Sequence, residues 1–170
     1  MKKTLLNSNM KRALLCFIFI TFGVSSINAQ SPITADHYMA KIFDCAIFPA
    51  AYPTELDGKG FTPSHTDVDS VTKALTEKFK MLNVTNKDDR NTISSNLPLY
   101  KIQVFGYTDK AGNKVLYLNC FRNDRQKDKD LANTWTTDMV EVQDGGNYFW
   151  TIKYDLAKGA FFDFKVNGNG

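Results

Sequence analysis

The spacing of apolar residues changes from a helical period to a strand period along this chain. Between Val68 and Leu82, apolar residues recur every three or four positions, which predicts an amphipathic helix. Thr66 or Asp67 is placed to cap its start, and Lys78 near its end suits the helix dipole. The stripe that would face the core comprises Val68, Val71, Leu75, Phe79 and Leu82.

A shorter helix is predicted closer to the N-terminus. Apolar residues within residues 35–47 follow the same spacing, Asp36 is available as an N-cap, and Pro49 ends the pattern. An irregular stretch rich in proline and glycine then leads to the main helix.

Apolar and polar residues alternate from Leu99 onward, which is the pattern of half-buried strands. The predicted strands are residues 99–108, 115–122, 139–143, 148–155 and 160–166. Turn-forming residues separate most of them, and the segment Asp144-Gly145-Gly146-Asn147 is typical of a hairpin turn. The fold class is therefore predicted as α+β, with one or two N-terminal helices packed on a curved antiparallel meander of about five strands.

The first residues have the order of a secretory signal peptide. Basic residues precede an apolar run at residues 13–24, and a small, polar exit ends at Ala29. The apolar run is shorter than the roughly 20 residues that span a bilayer. We therefore predict a signal peptide at 1–29, with Met1 or Met10 as the start, and export to the periplasm or beyond. The mature chain, 30–170, is predicted to be one α+β domain without a transmembrane span.

The signal peptide also accounts for the basic charge of the chain. The 170 residues include 21 Lys and Arg against 18 Asp and Glu. Four of the basic residues and none of the acidic ones lie in 1–29. Since the mature chain is then close to neutral, its charge does not favour nucleic acid as a partner.

Two cysteines remain after export, Cys45 and Cys120. In an oxidising compartment such a pair tends to form a disulfide, which would constrain the unfolded chain by about 4 kcal/mol. The alternative is two separate buried thiols, because cysteine is also a common small core residue.

The connection at residues 123–137 is long, charged and ends near Trp135. One interpretation is a solvated excursion whose tryptophan folds back onto the core. The other is a recognition loop, with Arg122, Arg125 and Trp135 as binding anchors. The last predicted hairpin adds Tyr148 and Trp150 to these binding candidates.

Aromatic residues occupy both faces of that hairpin. Either a second layer covers the outer face of the sheet, for example the N-terminal helix, or an aromatic patch is exposed for a ligand or partner.

The sequence contains little catalytic chemistry. His37 and His65 are the only histidines, and no recognised nucleophile, zinc or phosphate-binding motif is present. Asp67 and Asp69 lie near His65, but acidic residues at a helix start are explained by capping. We expect no catalytic residues, no metal and no cofactor.

The C-terminal third carries a pattern of aromatic residues and glycines. It consists of Trp135, Val140, Val142, Asp144-Gly145-Gly146, Phe149-Trp150, Tyr154-Asp155, Phe161, Phe164, Val166 and Asn167-Gly168. This pattern resembles small exported α+β proteins of Bacteroidota. The resemblance implies location and domain type but names no activity.

The order of a helix followed by a sheet also resembles cystatin-like and NTF2-like folds. The inhibitory hairpin motif of cystatins is not reproduced, because residues 103–106 are one residue short and lie within a predicted strand. An NTF2-like cone would offer an apolar pocket, but its acid–base residues are not recognisable here. Fold resemblance alone does not define a function.

Three functions follow from these observations as hypotheses. The first is an exported, non-enzymatic binding protein that holds a protein partner, of the inhibitor or immunity type. The second is a carrier or enzyme with a pocket for a small apolar ligand. The third is a structural component of the cell envelope. A flat, exposed aromatic patch beside the loop at 123–137 would favour the first. A deep pocket with a histidine and a carboxylate would favour the second, and a long free edge strand the third.

Overall fold

The computed structural model describes residues 33–84, 86–122 and 134–168, which belong to one compact unit, Ser31–Gly170. The fold is α+β, as predicted: two helices pack against a mostly antiparallel, open sheet of seven strands. The strands are β1 (Asp36–Ala40), β2 (Phe43–Ile47), β3 (Lys59–Phe61), β4 (Lys101–Thr108), β5 (Lys114–Phe121), β6 (Phe149–Asp155) and β7 (Ala160–Val166). The helices are α1 (His65–Lys78) and α2 (Lys87–Ser95).

The strand order is β1-β2-β4-β5-β6-β7, and β3 pairs with the far end of β4. All pairs are antiparallel except β2 with β4, which run parallel. The predicted meander is therefore correct for β4 to β7, except that residues 139–143 form no strand. Three strands, β1 to β3, were not anticipated.

The predicted N-terminal helix is wrong, because residues 35–47 form the β1–β2 hairpin. A two-residue turn joins the strands, with Lys41 at a φ of 60°. This turn lacks the Gly or Asn that usually marks such hairpins. Cys45 and Ala46 are both fully buried although they point to opposite faces of the sheet. Burial on both faces removes the strand alternation and leaves an apolar spacing that imitates a helix.

The main predicted helix is confirmed as α1. Its N-cap is Ser64, rather than Thr66 or Asp67. The Asp67 carboxylate accepts a hydrogen bond from the Ser64 backbone amide, which completes a capping box. The predicted stripe from Val68 to Phe79 is buried against the inner face of the sheet. The ring centroids of Phe79, at the end of α1, and Trp150, on β6, are 5.1 Å apart, so this pair packs the helix against the sheet.

Helix α2 was not predicted, because it buries a single apolar side chain, Ile93. The Asn86 side chain caps it by accepting hydrogen bonds from the amides of Asp88 and Asp89. Within the described ranges, neither helix has the length and apolar character needed to cross a bilayer.

We expect the Leu75→Ala substitution to lower the free energy of unfolding by about 2–5 kcal/mol, because Leu75 is fully buried between α1 and the sheet. Urea denaturation measures the change. The control is Lys73→Ala on the exposed side of the same helix, which should stay within about 0.5 kcal/mol of the wild type. A loss below about 1 kcal/mol for Leu75→Ala would contradict this assignment of the buried face.

Candidate functional site

The outer face of the sheet, opposite the helices, carries a second apolar core. Its buried members are Ala35, Ala46, Phe48, Phe105, Phe121, Trp135 and Phe149. The rings of Phe48 and Phe105 stack with 4.5 Å between centroids, and Tyr52 packs on both. A second layer therefore covers part of this face, which agrees with one of the two interpretations drawn from the sequence. Irregular segments form that layer, rather than the N-terminal helix.

One of these segments, residues 134–142, is here called the strap. The buried side chain of Gln103, on β4, makes three hydrogen bonds to the backbone of the strap. The Gln103 amide nitrogen donates to the carbonyls of Trp135 and Asp138, each at 2.7 Å. Its amide oxygen accepts from the Val140 amide at 2.8 Å and from Asn119 at 2.9 Å. All four hydrogen-bonding positions of the Gln103 side chain are thus satisfied in a fully buried place.

Other side chains extend this attachment. Asn119, the partner of Gln103 across β4 and β5, also donates to the Val140 carbonyl at 2.8 Å. The Asn167 side chain donates to the Val142 carbonyl, and the Met139 amide donates to the Tyr52 hydroxyl at 2.8 Å. Because side chains satisfy these backbone groups, the strap lies on the sheet without joining it.

This attachment corrects two predictions. Residues 139–143 are not a strand, although their alternation imitates one. The segment from Asp144 to Asn147 therefore joins no hairpin, and Gly145 and Gly146, both at positive φ, lead into a short 3₁₀ turn before β6.

The second layer covers only part of the outer face. Gln103 and Phe105 of β4 and Asn119 and Phe121 of β5 are buried on this face. Tyr117 of β5, Thr151 and Lys153 of β6 and Lys165 of β7 are instead half-buried or exposed. Beside the strap this leaves an open groove of about 510 Å³, here called the outer groove. Its apolar and neutral lining includes Pro53, Leu56, Tyr117, Met139 and Thr151, and its charged residues are Glu55, Glu141, Lys153, Asp163 and Lys165. A smaller cavity of about 230 Å³ shares Tyr117, Met139, Glu141 and Thr151 and continues beside the strap.

A β-bulge shapes the floor of the outer groove. The register between β6 and β7 shifts between Thr151 and Lys153, and Asp163 adopts a φ of 51°. The Asp163 carboxylate then lies 2.7 Å from the Lys153 ammonium and 3.3 Å from that of Lys165. The hydrogen bond from Lys153 lowers the pKa of Asp163, and the same bond raises the pKa of Lys153.

Tyr117 provides a neutral polar group in this floor. Burial raises the pKa of its phenol, against the opposing effect of a hydrogen bond with Thr151. Tyr117 therefore remains a protonated donor at neutral pH, beside paired charges and apolar side chains. This combination suits binding of a chain with mixed polarity.

Sequence reasoning missed Lys153, Asp163 and Lys165. A signal was present, because the alternation of β7 breaks at Asp163: Phe164 is separated from Phe161 by two residues although both pack on the inner core. Such a break in a strand pattern is the mark of a bulge.

The two tryptophans predicted for binding are buried on opposite faces. Trp150 is 1 % exposed in the inner core, and Trp135 is 4 % exposed in the outer core. The Lys101 ammonium lies 4.2 Å above the centre of a Trp135 ring. The interpretation in which Trp135 folds back onto the core therefore describes its position.

Arg122 and Tyr148 lie together. The Arg122 guanidinium is 4.6 Å from the centre of the Tyr148 ring. The backbone amide of Arg122 donates a hydrogen bond to the backbone carbonyl of Tyr148 at 3.0 Å. Arg122 is 8 % exposed, and Tyr148 is half-buried. Arg125 and residues 123–133 of the predicted recognition loop lie outside the described residues, as does the predicted signal peptide.

Each histidine forms an exposed pair with a carboxylate near β1. His37 bonds to Asp44, and His65 bonds to Asp36 at 2.7 Å while stacking on Tyr38. Neither histidine lines the outer groove. Within the part of the chain that the structure describes, no group of three His, Cys, Asp or Glu side chains is arranged to hold a metal.

Cys45 and Cys120 are free and buried, so the disulfide alternative is not supported. Both face the inner core, but Ile102 of β4 lies between them in register. Two strand spacings separate their backbones by about 9–10 Å, beyond the roughly 7 Å that a disulfide can span. Burial raises the pKa of Cys45 to about 12 and that of Cys120 well above its usual value. Neither thiol is therefore a nucleophile at neutral pH.

No family model matches this chain, and neither a curated protein nor a solved structure is significantly similar to it. The fold and the groove therefore carry the functional argument. They define an α+β protein whose sheet is covered on one face by helices and partly covered on the other by irregular segments.

We expect Gln103→Leu to lower the free energy of unfolding by about 3–5 kcal/mol, because it leaves several buried backbone groups of the strap without partners. Urea denaturation measures the change, and hydrogen exchange should show loss of protection at the Val140 amide. The matched control is Gln143→Leu, the same substitution at an exposed position just beyond the strap. Equal stability of the two variants would contradict the proposed attachment.

We expect Cys45 and Cys120 to resist Ellman's reagent at pH 8 in the native protein, because burial keeps both thiols protonated and inaccessible. In urea without reductant, both should titrate. A Cys16→Ser background restricts the count to these two residues, and a reduced sample is the control. Thiols that appear only after reduction would restore the disulfide.

Proposed function

We propose that this chain is an exported, non-catalytic binding protein that holds a segment of a protein partner in the outer groove. The observation that carries the proposal is the half-covered outer face, where apolar side chains and paired charges line one open groove. Open, mixed surfaces of this kind suit recognition of another chain. Export is inferred from the order of residues in 1–29.

The conformation of Asp163 supports a functional role for this groove. Asp163 is a residue other than glycine at a φ of 51°, a conformation that strains the backbone. Residues in such conformations cluster at ligand sites. The bulge that imposes this conformation also places Asp163 between two lysines in the groove. Recognition would thus use residues held by strand pairing, rather than the tryptophans proposed from sequence.

A second candidate is a small apolar ligand in the same groove. Its volume of about 510 Å³ lies within the range of small-molecule sites, and Leu56, Tyr117 and Met139 offer apolar contact. We favour a protein segment because the groove is open and its rim is charged.

A structural role through strand addition has less support. The bulge in β7 breaks its regular edge, and Lys165 adds a charge beside it. Both features oppose pairing with another chain. The other strands with one neighbour are short: β1 has five residues and β3 has three.

We expect a photo-reactive amino acid at position 151 to crosslink the protein to a partner in an envelope fraction. Thr151 lies on the floor of the outer groove, so a bound segment would be within reach. The product is detected by mass spectrometry. The same photo-reactive residue at position 73, on the exposed side of α1, is the matched control.

The crosslinking results and one variant distinguish the candidate functions. A protein crosslinked only from position 151, and lost with the groove-filling Thr151→Tyr variant in capture experiments, supports the proposal. Equal crosslinking from both positions contradicts it. A thermal shift with small apolar compounds, without any protein crosslink, would favour the second candidate.

A further inference from the structure

The strap presents one residue whose backbone has no partner among the described residues. Gln103 and Asn119 bond both the amide and the carbonyl of Val140, while the carbonyl of Val142 bonds Asn167. In an extended chain, the backbone groups of the next residue point the opposite way. The amide and carbonyl of Glu141 therefore point away from Gln103 and Asn119, and neither makes a hydrogen bond in the described part of the chain.

The contacts of Met139 indicate which way the unpaired backbone groups of Glu141 point. Its amide has the same direction as that of Glu141 in an extended chain, and it bonds the Tyr52 hydroxyl. Residues 53–56, which follow Tyr52, line the outer groove, as do Met139 and Glu141 themselves. The unpaired backbone of Glu141 thus lies at the groove.

The charges of the groove are unequally satisfied. Lys153 and Lys165 are both paired with Asp163. Glu55 and Glu141 are exposed, and no cation of the described residues lies within ion-pair distance of either. Asp163 carries one negative charge against two lysines, so the three acidic and two basic residues of the lining sum to a net charge of −1. The carboxylates of Glu55 and Glu141 have no ion pair, and they favour a positively charged group.

We propose that the outer groove binds an extended peptide segment that carries a lysine or arginine. The segment pairs with the backbone of Glu141 as an added strand, and its basic side chain lies near Glu55 and Glu141. Strand addition supplies the backbone hydrogen bonds, and side-chain contacts supply selectivity. This inference rests on the proposed function and specifies its partner.

A phage-displayed library of random dodecapeptides tests the inference with the intact protein as target. The Thr151→Tyr variant, with its groove filled, serves for counter-selection. We expect the recovered peptides to share one lysine or arginine flanked by residues of high strand propensity. Enrichment of acidic peptides, or of peptides without a common basic position, would overturn the charge argument.

Variants and modified peptides separate the two parts of the inference. Glu55→Gln and Glu141→Gln should each weaken a recovered peptide by about threefold, and high salt should remove that difference. The matched control is Glu77→Gln on α1, which should leave affinity unchanged. N-methylation of the peptide residue opposite Glu141 should weaken binding by about tenfold, because it removes a strand hydrogen bond.

Failure of the inference is distinguishable from failure of the proposed function. A peptide that crosslinks to position 151 but is insensitive to N-methylation at every residue overturns strand addition and leaves the binding function. Peptides that bind the Thr151→Tyr variant as tightly as the wild type overturn both. In the supporting case, hydrogen exchange shows new protection of the Glu141 amide when the peptide is bound.

Discussion

The buried amide of Gln103 is the interaction on which the outer half of this structure depends. A fully buried amide is costly unless each of its donors and acceptors finds a partner, and here the strap and Asn119 supply all of them. The same bonds fix the position of the strap on the sheet. They thereby place Trp135 over the outer core and set one border of the groove.

The attachment also explains why the sheet has two different outer regions. Gln103 and Asn119 lie on β4 and β5, so the strap covers the part of the sheet where Phe105 and Phe121 are buried. The strap makes its last such contact at Asn167, just beyond β7. Lys153 and Lys165 therefore remain accessible, and the bulge places the Asp163 carboxylate within ion-pair distance of both.

Sequence patterns predicted helix α1 because it buries one apolar stripe. Strands β4 to β7 were predicted because they are rich in β-branched and aromatic residues and turn-forming residues separate most of them, although β4 and β5 are buried on both faces. The β1–β2 hairpin was missed because Cys45 and Ala46 are buried on opposite faces, which removes the alternation. The strap was mistaken for a strand because its hydrogen bonds come from side chains distant in sequence, and no local pattern records them.

The groove was beyond the reach of sequence reasoning for a related physical reason. Tryptophan and arginine indicate a binding surface only where their side chains are accessible. The side chains of Trp135 and Arg122 are buried. The groove instead brings Glu55, Glu141 and Asp163 together from three separate segments. Its affinity for a basic, extended segment would come from a balance of charge and a free backbone edge. Both properties exist only once the strap is attached, so folding of the outer layer and formation of the binding surface are one event.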